Sequence, residues 1–192
     1  NWRPQLLVIA PDSKESENGL FAFVSQLKAG KGLTLIAKCI EGNFIKHADA
    51  VEIARNTSGL GGLRHNTVVV AWPEEWATSH EISVCQRFVS TLRAADAADC
   101  AILVPKNVKI FPSSQVKIYG YLDVWWIVHD GGLLMLLPFL LKQNKTWRNT
   151  RLRLFTIAHM DDNTFNMKKD LEIFLYHLRI EAQVFVIELV HI

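Results

Sequence analysis

The amino-acid sequence predicts an α/β protein with mostly parallel sheets, flanking helices and two related halves. Short apolar runs alternate along the chain with stretches of helical spacing, as expected for βαβ units. Runs such as Thr67 to Trp72 lack the polar alternation of a strand with one solvated face, which favours parallel strands buried on both sides. The pattern restarts near Asp123, as though a second, shorter α/β half followed the first.

The individual elements are predicted from these two patterns in chain order. Strands are predicted at 5–10, 33–37, 67–72, 101–104, 124–128, 151–158 and 184–189, with a further short one at 108–111. Helices are predicted at 20–29, 43–55, 82–97, 133–141 and 164–179, where apolar residues recur every three or four positions. Residues 11–19 are predicted to form a polar loop. Asp161-Asp162-Asn163 is expected to cap the last helix.

The sequence DVWWIVHDGGLLMLLPFLL at 123–141 is predicted to be the centre of the second half. Its first part is apolar on both faces, so Trp125 and Trp126 are both expected in the core. A polar, glycine-containing break and an apolar helix follow, which together make half of a βαβ unit. The stretch is not predicted to span a membrane, because Asp123, His129 and Asp130 interrupt it.

Composition excludes several classes of protein. The 192-residue chain is 49% hydrophobic and 21% charged, which supports a large core and argues against disorder. A net charge of +2 shows no clustered basic excess, so no nucleic-acid partner is expected. The 3 cysteines are widely spaced and form no CxxC pair, which favours reduced thiols over a disulfide or zinc framework.

Four short motifs suggest chemistry, and each has a structural alternative. Gly59–Gly62 precedes a strand, which favours a helix cap over a phosphate loop. Lys28–Gly32 resembles part of a Walker sequence, but it lacks the first glycine and the Ser or Thr, and it ends a predicted helix instead of starting one. His129-Asp130 is an acid–base pair or a turn, and His159 with Asp161-Asp162 is a metal cluster or a helix cap. No nucleophile accompanies them, so an enzyme is not predicted.

Five stretches together resemble the cytosolic C-terminal domain of cation-chloride cotransporters. They are NWRPQLL at the start, SQLKAGKGLT (25–34), GLGGLRHNTVV (59–69), DVWWIVHDGGLLMLLPFLLKQ (123–143) and MKKDLEIFLYHLRIEA (167–182). Details at Trp2, at 26–32 and at 126–130 resemble the potassium-chloride branch more than the sodium-dependent branch. The resemblance covers nearly the whole chain.

The resemblance implies a fold like that of the universal stress proteins and a role that is regulatory rather than enzymatic. The domain would belong to an electroneutral potassium-chloride symporter and lie on the cytoplasmic side of the plasma membrane. Its expected partners are a second copy in a homodimer, the transmembrane domain of the same chain, and regulatory serine/threonine kinases and phosphatases. No cofactor is required, although ATP or ADP is a candidate ligand.

The alternative function is that of an adenine-nucleotide-binding module of the universal-stress type. By analogy with those proteins, the site would lie at strand ends and include Ala10, Asp12, Lys38, Trp72 and Pro73. Because the small-residue phosphate loop of the ATP-binding stress proteins is missing after Ala71, binding is expected to be weak or absent. Micromolar affinity would contradict that hypothesis.

The expected division is a first half at 1–120 and a second half at 121–192. The resemblance implies one more helix and one more strand near 54–57 than the chain has room for. It also implies that the second half is incomplete at its C-terminus, where a regulatory segment and a closing strand pair would follow. The missing Met before Asn1 indicates a fragment of a longer protein, and the resemblance implies that this domain follows the last membrane helix of its parent protein.

Overall fold

The computed structural model describes the chain in several stretches, which together contain two compact units. The described residues are 4–11, 13–28, 32, 34–38, 65–74, 76, 82–127, 133–158 and 162–188. The first unit is Asn1–Pro112 and the second is Ser113–Ile192. Both contain parallel strands and flanking helices, so the predicted α/β class is confirmed.

The first unit contains a four-stranded parallel sheet in the order β2-β1-β3-β4. Its elements are β1 (Leu6–Ala10), α1 (Lys14–Lys28), β2 (Thr34–Lys38), β3 (Thr67–Val70), α2 (Ile82–Ala97), β4 (Ala101–Leu103) and a 3-10 turn (Val108–Ile110). Alternate residues of β1 are buried, and they pack with α1, β3 and the turn in one apolar core. This core contains Leu6, Val8, Leu20, Val24, Val69 and Val108.

Helix α1 begins at Lys14, earlier than the helix predicted from Leu20 onwards. The loop prediction for 11–19 was wrong from Lys14, because the first turns have capping and charge signals rather than apolar periodicity. The Ser16 backbone N–H donates to Ser13 Oγ at 3.3 Å, and Glu15 and Glu17 lie in the first turn. Both features stabilise the amino end of a helix.

The segment 108–111 was predicted as a short strand, and that prediction was wrong. Val108–Ile110 forms a 3-10 turn that follows Asn107, whose φ of 57° is left-handed. The Phe111 backbone N–H donates to Val108 O at 3.1 Å and closes the turn. The turn puts Val108 into the core against α1.

The second unit contains a three-stranded parallel sheet in the order β5-β6-β7. Its elements are β5 (Gly120–Trp125), α3 (Leu133–Gln143), β6 (Thr150–Ala158), α4 (Thr164–Leu178) and β7 (Ala182–Glu188). The core contains Val124, Trp126, Met135, Leu154, Leu175 and Val184. The predicted cap of α4 is confirmed at Asn163, whose Oδ1 accepts the Asn166 backbone N–H at 3.0 Å.

The two adjacent tryptophans differ in burial, so the prediction that both lie in the core was wrong for one of them. Trp126 is 6% exposed and Trp125 is 50% exposed. Successive side chains of an extended segment point to opposite faces of a sheet, and α3 and α4 pack on the face that receives Trp126. The predicted helix at 43–55 and the glycines at 59–62 lie outside the described residues.

Candidate functional site

The first sheet has a cleft at the point where its strand order reverses. Strand β1 lies between β2, which follows it along the chain, and β3, which comes later. Crevices at the carboxyl ends of strands at such a switch point are the usual ligand sites of open α/β sheets. Here the cleft is lined by Ile9 and Ala10 from β1 and by Val70 and Ala71 at the end of β3.

Aromatic rings form one wall of this cleft. The Trp72 and Phe88 rings meet edge to face with centroids 5.6 Å apart, and Trp76 lies 5.5 Å from Trp72 and 5.9 Å from Phe88. The cleft has a volume of about 230 Å³, whereas pockets for drug-sized ligands are about 300–1,000 Å³. It is therefore large enough for a planar ring but small for a whole nucleotide.

Positive charge surrounds the aromatic wall. Arg87 and Lys109 line the cleft together with Glu74, and Lys109 Nζ lies 3.2 Å from Glu74 Oε2. Lys106 Nζ lies 5.7 Å from the centre of the Trp72 ring, within the range of a cation–π contact. An aromatic wall beside several cations is suited to a planar group that bears an anion.

The structure brings together part of the nucleotide site expected from the sequence. Ala10, Trp72 and Pro73 all line the cleft. Lys38 pairs in register with Ala10 at the sheet edge, but the cleft-lining set does not include it, and its Nζ lies 3.9 Å from Glu17 Oε2. Asp12 lies outside the described residues.

Sequence reasoning missed the polar residues that α2 and the 3-10 turn add to the cleft. Arg87 and Thr91 lie four positions apart in α2, a spacing that places two side chains on one helix face. Once α2 had been predicted, this spacing could have indicated that Arg87 and Thr91 lie on the same side of the helix. Lys109 gave no such signal, because its position depends on the turn that replaced the predicted strand.

The first lysine of the Walker-like stretch has a structural role, whereas Lys31, which stands at the position of the Walker lysine, lies outside the described residues. Lys28 is the last residue of α1, and its Nζ donates to Thr34 Oγ1 at 2.8 Å. Burial lowers the pKa of Lys28 from its ordinary value. The bond ties the end of α1 to the start of β2.

The remaining sequence motifs do not form a site within the described part of the chain. His129, Asp130, His159 and Asp161 lie outside it. Among the residues that the structure does describe, there is no group of three or more His, Cys, Asp or Glu side chains able to hold a metal ion. Cys85 and Cys100 are free thiols.

A second, shallower depression of about 780 Å³ lies in the second unit. It is formed where α4 ends and β7 begins, with Tyr176, His177 and Arg179 among its lining residues. Ligands of open α/β sheets bind at the carboxyl ends of strands, and this depression lies at the amino end of β7. It is therefore a weaker candidate than the cleft of the first unit.

Two parallel sheets flanked by four helices in the described chain, with a cleft at a strand-order switch, define an α/β protein of the universal-stress-like type. The family model "Solute carrier family 12" matches residues 103–191, a stretch that contains nearly all of the second unit. This match is consistent with the C-terminal region of a cation-chloride cotransporter, and the resemblance seen in the sequence is confirmed over that stretch.

The match to this family bears on two further predictions. Its members are ion transporters and not enzymes, which supports the non-enzyme interpretation. The family is one of membrane transporters. Within the ranges that the structure describes, no helix has both the length and the apolar character needed to cross a bilayer.

Proposed function

We propose that the chain is the cytosolic regulatory and dimerisation domain of an electroneutral potassium-chloride symporter. The observation that carries the proposal is the match of residues 103–191 to solute carrier family 12. The choice of the potassium-chloride branch rests on the resemblance at 26–32 and 126–130. In this role the domain forms a homodimer, contacts the transmembrane domain of its own chain and relays kinase and phosphatase signals to the rate of transport.

Ion flux tests the branch assignment. The natural gene product that contains this chain is expressed in cultured cells, and rubidium uptake is measured with chloride replaced by gluconate or sodium replaced by a large organic cation. Uptake that needs chloride but not sodium is expected. A requirement for sodium would instead assign the chain to the sodium-dependent branch, and uptake independent of chloride would contradict the proposal as a whole.

A second candidate function, weak binding of an adenine nucleotide, is favoured by the cleft of the first unit. The adenine ring would stack on Trp72, and the phosphates would lie towards Arg87 and Lys109. Its small volume, about 230 Å³, and the absence of a small-residue loop after Ala71 both favour an affinity weaker than micromolar.

Calorimetric titration of ATP and ADP into the 192-residue chain tests this second candidate. We expect weak binding by the unaltered chain and loss of that binding in Lys109→Gln. The matched control, Lys168→Gln on the exposed face of α4, should bind like the unaltered chain. Micromolar affinity would contradict the expected weakness. Equal binding by the two variants would place the nucleotide elsewhere.

A further inference from the structure

In the described residues, helices cover one face of the second sheet and leave the other open. Helices α3 and α4 pack against the side that contains Val124, Leu154 and Val184. Alternate positions of the strands point to the opposite side. There, six apolar side chains form a surface that we call the aromatic face: Trp125, Ile127, Phe155, Ile157, Phe185 and Ile187.

Strand register arranges these side chains in rows across the sheet. Trp125 pairs with Phe155, and Phe155 pairs with Phe185. The three rings stack with centroids 4.8 and 5.0 Å apart and interplanar angles of 16° in both pairs. Ile157 and Ile187 pair in the next row. The aromatic face is therefore an ordered and pre-formed surface.

The aromatic face is also exposed to solvent, although its side chains are large and apolar. Ile127 is 60% exposed, Trp125 50%, Phe185 40% and Ile187 37%. Contiguous apolar patches on soluble proteins usually mark an interaction site, and parallel sheets are found almost only with both faces covered. A partner for this surface is therefore expected.

An ion pair lies at the border of the aromatic face, and its two charged groups bond to each other. Arg153 Nε and Nη2 donate to the two carboxylate oxygens of Asp123, each at 2.7 Å. The Arg153 guanidinium also lies 4.2 Å from the Tyr121 ring centre and 5.4 Å from that of Phe155. Because these charges neutralise each other, the surface selects a partner by apolar contact rather than by opposite charge.

The dimensions of the surface indicate what kind of partner fits. Three strands about 4.8 Å apart and two rows about 6.7 Å apart make a plane on the order of 14 by 13 Å. A stable dimer buries about 800 Å² on each partner, which is well above the roughly 200 Å² that this plane covers. A helix about 10–12 Å wide with side chains covers its width.

We propose that the aromatic face binds an amphipathic helix whose apolar residues recur every three or four positions. Residues four apart lie about 6 Å apart along a helix axis, close to the spacing of the rows. Leucine or methionine side chains at those positions would fit between the ring row and the isoleucine row, and the polar side of the helix would remain in water. This binding activity goes beyond the proposed function and holds whichever ion is transported.

A labelled model helix tests the proposal directly. The probe is a fluorescein-labelled peptide of about 18 residues, with leucines in one stripe and glutamate and lysine elsewhere. Its binding to the whole chain is followed by fluorescence anisotropy. A peptide of the same composition with its leucines scattered around the helix is the control ligand. The striped peptide is expected to bind, and the scattered one at least about tenfold more weakly.

Variants locate the binding surface. Trp125→Glu and Ile127→Glu each place a charge on the aromatic face, and each is expected to weaken binding at least about tenfold. Ile110→Glu alters a side chain that is 82% exposed in the first unit, and it should bind like the unaltered chain. Because Trp125 and Ile127 are both at least half exposed, the two variants should fold, which circular dichroism verifies.

Three results would overturn the proposal. One is equal binding of the striped and the scattered peptide. Another is unaltered binding by both folded glutamate variants. The third is a dimer of the unaltered chain in sedimentation that Trp125→Glu converts to monomer, because the occupant of the aromatic face would then be a second copy of the chain.

Discussion

Replacing Gly19 with alanine is expected to destabilise the first unit, against the usual preference of helices for alanine. Gly19 lies within α1, where Gly→Ala normally stabilises by about 0.5–1 kcal/mol. A Cβ at this position would lie 1.8 Å from Val108 O and 2.6 Å from Val108 C. Both are backbone atoms, so α1 and the 3-10 turn must separate for alanine to fit.

Separating α1 from the 3-10 turn costs free energy of folding, because other contacts between the same segments are strained as well. Overpacking a close contact costs about 1–3 kcal/mol. Here it also strains the Gln26 Nε2 bond to Pro112 O at 2.7 Å and the Phe23–Phe111 ring contact at 5.4 Å. After the helix-propensity gain is subtracted, a net loss of about 1–2 kcal/mol is expected. For a unit of this size that lowers the melting temperature by roughly 5–15 °C.

Calorimetric melting of the whole chain measures this effect. The matched control is Asn18→Ala, which changes an exposed residue in the same turn of α1 and should leave stability unchanged or raise it by a few tenths of a kcal/mol. If Gly19→Ala melts at or above the temperature of the unaltered chain, the close approach of α1 to the 3-10 turn is refuted.

Three further predictions concern the buried and charged groups of the two units. Trp126→Ala should cost about 3–5 kcal/mol, whereas Trp125→Ala on the aromatic face should cost less than about 1 kcal/mol; equal losses in urea unfolding would contradict the assignment of faces. Gln26→Leu should cost about 1–3 kcal/mol, because its fully buried amide donates to a backbone carbonyl; a stable variant in the same assay would show that the bond is dispensable. The hydrogen bond from Arg153 lowers the pKa of Asp123 in the folded chain below its ordinary value of 3.8. The ionised pair therefore stabilises the fold at pH values above 3.8, and this stabilisation is lost as the pH falls through the pKa of the folded chain. Because the pair is exposed to solvent, its contribution should be small, and Asp123→Asn should remove that part of the acid dependence in urea midpoints measured from neutral to acidic pH.

The regular elements could be predicted from the sequence because their signals are local. The helix at 82–97 was predicted with its observed bounds, since its apolar residues recur at helical spacing throughout. Helix α1 was predicted only from Leu20 onwards, because Lys14 to Gly19 show no apolar periodicity and the close contact of Gly19 with Val108 depends on distant sequence. Likewise, the outward orientation of Trp125 depends on which face α3 and α4 cover.

The candidate site was partly predictable for the same reason. Ala10 ends β1, and Trp72 and Pro73 come shortly after β3; such strand ends can be located from apolar runs, and the analogy with universal stress proteins indicated which of them to choose. Lys109 enters the cleft through a 3-10 turn far along the chain from β1, so its role appears only in the folded unit. Lys38 was expected in the site because it ends a strand, yet its contact is with Glu17 at the sheet edge.

The reading frame upstream of the codon for Asn1 tests the central claim most directly. A domain of a cation-chloride symporter should be preceded in the same transcript by about twelve apolar segments, each of about 20 residues. Sequencing the transcript from its 5′ end should therefore show a continuous frame that encodes those segments and runs into Asn1. A start codon immediately before Asn1 would contradict the claim, and nucleotide binding in the cleft would then become the leading function.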